Sequence, residues 1–174
     1  MLRPSQLKFV NFLTLWTWTE LSFCDIQSAE RTLDAPELLD DYYLNLLDWS
    51  SKNVVAIALG NTVYLWHAAS GAIEELMQVS QDDGPVTSLS WGPDGKHIGI
   101  GLDNGEVQLW DSTSLSKIRT MKGHTARVGS LAWNSGPILS SGSRDTCIFN
   151  HDGKPMDPYR KFQLLVICLY SITW

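Results

Sequence analysis

Val86-Thr87-Ser88-Leu89-Ser90-Trp91 is the stretch whose reading decides the fold, because it returns twice. Val128-Gly129-Ser130-Leu131-Ala132-Trp133 repeats it downstream, and Leu44-Asn45-Leu46-Leu47-Asp48-Trp49 repeats it upstream, so the three tryptophans are spaced 42 and again 42 residues apart. A second marker follows each of the first two: Val63-Tyr64-Leu65-Trp66-His67 and Val107-Gln108-Leu109-Trp110-Asp111, with Trp66 and Trp110 separated by 44. A period of ~40 to 45 residues is the signature of a repeated supersecondary unit, and its small elasticity belongs to loops.

Within one unit the residues alternate as strands do. In the middle unit Val86 to Trp91 is a strand, Gly92-Pro93-Asp94-Gly95 a turn, His97 to Gly101 a strand, Asp103-Asn104-Gly105 a hairpin turn, Glu106 to Trp110 a strand and Lys117 to Met121 a fourth. Four short antiparallel strands per period make one propeller blade. The expected fold is therefore all-β: a partial β-propeller of about three blades at 42–80, 84–122 and 124–153, inside a repeat region at 29–153. Residues 1–28 and 154–174 form flanks without the period.

The chain has 174 residues, enough for one ordinary domain. With 13 basic against 19 acidic residues its net charge is −6, which argues against a partner such as duplex nucleic acid or an anionic membrane. Acids cluster at Glu30, Asp34, Glu37, Asp40, Asp41 and Asp48, while Lys117, Arg119, Lys122, Arg127 and Arg144 make the stretch from Ser112 to Gly153 basic. The three cysteines, Cys24, Cys147 and Cys168, show no ligand spacing and suggest neither a disulfide framework nor a zinc site, so a reducing compartment is expected. Near the start, Arg3 and Lys8 precede an apolar stretch from Phe9 to Trp18, but Asn11, Thr14, Thr17 and Glu20 make it a poor secretion signal. The apolar run from Leu164 to Tyr170 is far short of the ~20 residues that a spanning helix needs.

No catalytic constellation is legible, and neither a metal nor a cofactor is expected. His67, His97, His124 and His151 stand at repeat or turn positions without ligand partners in sequence. Gly99-Ile100-Gly101 followed by Gly105 lacks the strand-turn-helix setting of a dinucleotide loop. His124 and Asp145 are expected to form a buried hydrogen bond that fastens a blade, a structural role.

Gly123-His124, Asp145 and Trp110-Asp111 resemble the landmarks of WD repeats, with departures: the first unit ends Trp66-His67, and the third puts His151 where a tryptophan should stand. Longer words are more specific. Arg31-Thr32-Leu33-Asp34-Ala35-Pro36-Glu37, Asp41 through Ser50, and Ala126 through Asn134 resemble the Fizzy type of WD-repeat protein. The resemblance implies a non-catalytic adaptor that activates the anaphase-promoting complex, a ubiquitin ligase of mitosis, by presenting substrates to it in nucleus and cytoplasm. It implies that Leu33 and Asp34 lie beside a groove for a destruction box (Arg-x-x-Leu), and that Asp41 and Tyr42 belong to the surface that reads a Lys-Glu-Asn box.

Members of that family are expected to carry a docking box, seven blades and an Ile-Arg tail. Residues 1 to 28 contain no such box, and the chain ends Ile172-Thr173-Trp174. The expectation is thus an incomplete form, and three blades that cannot close a ring should associate with themselves through open edges. A purified chain that sedimented as a monomer and melted cooperatively would contradict that last expectation. Two alternatives stand beside the leading reading: a generic WD-repeat scaffold, and a non-functional gene-model fragment.

Overall fold

The computed structural model describes residues 6–9, 31–134, 136–151 and 160–162. The chain divides into two compact units, Met1–Leu38 and Leu39–Trp174. In the first, β1 (Gln6–Phe9) pairs antiparallel with β2 (Arg31–Asp34), with Gln6 opposite Asp34 and Leu7 opposite Leu33.

The second unit is three antiparallel sheets of four strands each, in simple up-and-down order. Blade 1 is β3 (Leu47–Trp49), β4 (Val54–Leu59), β5 (Thr62–His67) and β6 (Ile73–Gln78). Blade 2 is β7 (Val86–Trp91), β8 (His97–Leu102), β9 (Val107–Asp111) and β10 (Ser116–Met121). Blade 3 is β11 (Val128–Trp133), β12 (Leu139–Ser143), β13 (Ile148–His151) and β14 (Arg160–Phe162). A single 3-10 turn, Gln81–Asp83, links blades 1 and 2. The repeat is therefore a blade, and the described residues form three.

Two details differ from the sequence pattern. The hexamer ending in Trp49 enters its sheet only from Leu47, because Asn45 is engaged elsewhere: it bridges in parallel to Ser88 of blade 2. The outermost strand of blade 3 comes from 160–162, beyond the repeat words. It belongs to no repeat word, so the spacing that marks the other strands does not reach it.

The tryptophans hold equivalent places. Trp49, Trp91 and Trp133 each end the first strand of a blade, opposite Val55, Ile98 and Leu139. Trp66 lies across from that same Val55, Trp110 across from Ile98, and His151 across from Leu139. Register also slips at equivalent points, after Val86 in blade 2 and after Val128 in blade 3. Such bulges strengthen the local twist where an inner strand begins.

Blades stack by matching a face of large side chains to a face of small ones. Gly99 and Gly101 are not nucleotide-loop glycines but packing glycines: a Cβ at Gly99 would press on Leu139 and Leu131, and one at Gly101 on Ser88 and Val128. Val107, Val128 and Leu139 form the buried core of this junction, with Met121, Leu131 and Trp133 against it. The carbonyl of Val128 is satisfied by the Thr87 and Ser88 hydroxyls, both at 2.7 Å, so the polar backbone crosses the seam without an orphaned group. The Trp133 indole donates to the Ser90 carbonyl at 3.1 Å across the same seam. Gly105, at φ 89°, closes the β8–β9 hairpin in a conformation that side chains rarely adopt, and its back lies against the His124 carbonyl.

Candidate peptide-binding surface

The four candidate binding residues fall in both units. Leu33 and Asp34 are neighbours on β2, Leu33 half-buried and Asp34 exposed. Strand geometry turns consecutive side chains to opposite faces, so a peptide reading both would have to run along the strand's edge. Asp41 and Tyr42 lie in the second unit, on the turn that leads into blade 1.

That turn is built from local chemistry. One oxygen of Asp41 accepts the Tyr43 backbone N–H at 2.9 Å, the side-chain-to-backbone closure that aspartate favours. Its other oxygen accepts from Arg127 Nη1 at 2.9 Å. The Tyr43 N–H and then the guanidinium hold the Asp41 carboxyl below its ordinary range, so it stays ionised through mild acid. Arg127 also lies over the Tyr43 ring, 5.4 Å from its centroid. The Tyr42 ring meets the Tyr43 ring edge-on at 5.6 Å and is 95% exposed. Asn45 completes the assembly, donating 2.6 Å to the Gly129 carbonyl of blade 3 while its backbone exchanges bonds with Thr87 and Leu89 of blade 2.

Sequence reasoning named Asp41 and Tyr42 but passed over Arg127, Tyr43 and Asn45. The signal was available: aligned on the tryptophans, Tyr43 and Arg127 are the same repeat position two blades apart, each just before an inner strand. Equivalent positions of a propeller converge at one end of the inner strands, so residues 84 apart in sequence become neighbours. Chemically, the surface offers a carboxylate with lone pairs to spare and a projecting aromatic ring. That combination suits an extended peptide bearing a cation.

Among the repeat markers, Asp111, His124 and Asp145 make contacts within the blades. Asp111 accepts from the Thr113 hydroxyl at 2.6 Å and from its N–H at 2.8 Å, and pairs with Lys96 at 3.0 Å; the hydroxyl bond and the ammonium hold its carboxyl well below the usual range. His124 Nδ1 lies 2.9 Å from Asp145 Oδ2, both side chains almost fully buried. Burial raises the Asp145 pKa, but the N–H groups of Thr125 and Cys147 and the His124 ring outweigh it and keep the carboxyl below its ordinary value. His97 packs 2.5 Å from Asp94 within its own turn, and His67 keeps an electrostatic contact of 3.5 Å with Glu74. Among the described residues no group of three His, Cys, Asp or Glu is placed to hold a metal ion, and no helix is long and apolar enough to cross a membrane. Cys147 is a free thiol; Cys24 and Cys168 lie outside the described residues.

Three stacked, four-stranded antiparallel sheets with tryptophans in register define a WD-repeat β-propeller segment. Comparison with known proteins agrees: the family described as "Anaphase-promoting complex subunit 4 WD40 domain" matches residues 47–136, and the chain belongs to that WD40 family. Within it the similarity is to the Fizzy, or cell-division-cycle-20, type. "Cell division cycle 20.1, cofactor of APC complex" of Arabidopsis thaliana is 56% identical over 133 residues, which cover 76% of this chain and 29% of the relative. "Anaphase-promoting complex subunit cdc20" of Dictyostelium discoideum is 57% identical over 126 residues, covering 72% and 25%. A chain in the crystal structure of the mitotic checkpoint complex superposes with a TM-score of 0.72 at 46% identity, covering 83% of this chain and 44% of that one. The chain thus spans between a quarter and a third of the length of these curated relatives.

Proposed function

We propose that this chain is a non-catalytic adaptor segment that recruits degron-bearing proteins to the anaphase-promoting complex in cell-cycle control, in nucleus and cytoplasm. The observation that carries the reading is the Asp41 turn. An ionised carboxylate, fixed by Arg127 and the Tyr43 N–H, stands beside the exposed Tyr42 ring, in a word that resembles the Fizzy type. Two relatives named for that complex support the context. On this reading Asp41 takes the lysine of a Lys-Glu-Asn box while the tyrosines cover its aliphatic stem. On β2, Asp34 takes the arginine of a destruction box and Leu33 its leucine.

Fluorescence-polarisation titration of the chain with a Lys-Glu-Asn peptide and its Lys→Ala form tests this directly. The expected result is binding of the first, weakened about tenfold or more by the Lys→Ala change and by Asp41→Asn, as loss of a charge-assisted hydrogen bond implies. A destruction-box peptide should respond likewise to its own Arg→Ala change and to Asp34→Asn. Equal binding of each peptide and its control would overturn the assignment.

A further inference from the structure

Blade 3 replaces the tryptophan of its sister blades by His151, and the replacement builds a buried polar chain. Asp145 Oδ2 lies 2.9 Å from His124 Nδ1, His124 Nε2 lies 2.8 Å from Ser141 Oγ, and Ser141 Oγ lies 2.7 Å from His151 Nε2. Phe149 stacks on the His124 ring at 4.3 Å and meets the His151 ring edge-on at 6.5 Å. Ser141 is fully buried, and its hydroxyl lies between these two rings.

Proton bookkeeping fixes the direction of the chain. The ionised Asp145 takes the Nδ1–H of His124, which leaves Nε2 of the neutral ring as an acceptor. The one hydroxyl proton of Ser141 goes there. Ser141 Oγ then accepts from His151, which must carry its proton on Nε2. With the protons placed in this way, every member of the chain is satisfied.

We propose that this chain makes blade 3 an acid-sensitive sheet: a proton taken up by His151 from water in mild acid puts a charge among buried side chains and loosens blade 3, while blades 1 and 2 stay closed. The added proton falls on Nδ1 and places a cation inside the sheet. From the elements packed around it, the ionisable groups facing His151 are His124 on the segment before β11 and Arg119 of β10, with the Asp145 carboxylate engaged on the far side of His124. Burial, and then the neighbouring His124 and Arg119, push the His151 pKa from 6.5 down to about 4. A folded-state value below the unfolded one means that the opened blade binds more protons at His151, so the His151 contribution to blade stability is constant above about pH 6.5 and falls as pH drops from there toward 4. In blades 1 and 2, Trp66 and Trp110 occupy the same place and cannot titrate.

The loosening would reach the surface. Asp145 also accepts the Thr125 N–H at 2.9 Å, the Ala126 carbonyl is held by Ser143 Oγ at 2.9 Å, and the Arg127 carbonyl by the Arg144 N–H at 3.0 Å. This ladder carries Arg127 to Asp41.

Hydrogen exchange followed by mass spectrometry on the whole chain, at pH 7.5 and pH 5.0 with the intrinsic rate corrected, tests the proposal without any peptide ligand. The opening constant for peptides of β11 to β13 should rise about tenfold on acidification, and that for β7 to β9 should not. His151→Gln keeps a donor for Ser141 and removes the titration, and should abolish the acid response; His151→Trp, if it folds, should do the same. Equal acid response in blades 2 and 3, or an acid response that survives His151→Gln, would overturn it. Peptide binding at Asp41 can fail at pH 7.5 with this result unaffected, so the two readings fall separately.

Discussion

Blades 2 and 3 share one register and fill it with different chemistry. Opposite Ile98, blade 2 places Trp91 and Trp110, and beside Ile98 on the same strand it buries Ile100. Opposite Leu139, blade 3 places Trp133 and His151, and at the position of Ile100 it buries Ser141. One sheet closes by apolar contact, the other by a hydroxyl held between imidazoles. The backbone repeat evidently specifies strand length, bulge and hairpin, while the residues that fill the seam are free to change provided that every buried polar atom finds a partner.

The comparison can be broken most severely at a glycine. Gly101→Val drives carbon into Val128, including its carbonyl at 2.9 Å, which cannot rotate away. It should cost about 4 kcal/mol or more, a large share of a domain's stability. Gly142→Val in blade 3 meets mainly the Ser130 hydroxyl, which can turn aside, and should cost about 1 kcal/mol. Urea denaturation of the two variants measures the contrast.

At the paired seam position, Ile100→Ala should cost about 3 kcal/mol through the cavity it leaves. Ser141→Ala removes little volume but strands two ring nitrogens, and should cost about 1 to 2 kcal/mol. Equal losses would mean that blade 3 is held by apolar packing like its neighbour. Smaller again is the indole pair. Trp133→Phe loses the bond to Ser90, whereas the buried Trp91 N–H has no partner among the described residues, so Trp91→Phe should be milder by about 1 kcal/mol. The least effect belongs to the surface: Arg127→Ala should lower the melting temperature only slightly, because a single half-buried ion pair at the rim of the sheet contributes little. Carbon-detected NMR titration should nevertheless show the Asp41 carboxyl moving up toward its ordinary range, with the Tyr43 N–H still holding it partly down.

Much of this was legible in the sequence. The spacing of Trp49, Trp91 and Trp133 gave the blades, because the side chain that ends an inner strand must pack at every junction and so must recur. His151 was visible as the odd residue at a tryptophan position. What it bonds to was not, since Ser141 is an ordinary serine in a run of small residues and becomes special only when two rings close on it. Arg127 was hidden for a related reason: sequence shows a basic cluster, and only the convergence of inner strands brings one of its members to Asp41. The β14 strand was invisible because Arg160-Lys161-Phe162 belongs to no repeat word.

The central claim is that the repeats stack as successive blades, with the large side chains of blade 3 seated on the glycines of blade 2. Nuclear Overhauser spectroscopy on methyl-labelled chain reads this directly. The account predicts cross-peaks from the Leu139 and Leu131 methyls to Gly99 and from the Val128 methyls to Gly101. Their absence, with contacts inside each sheet intact, would contradict it.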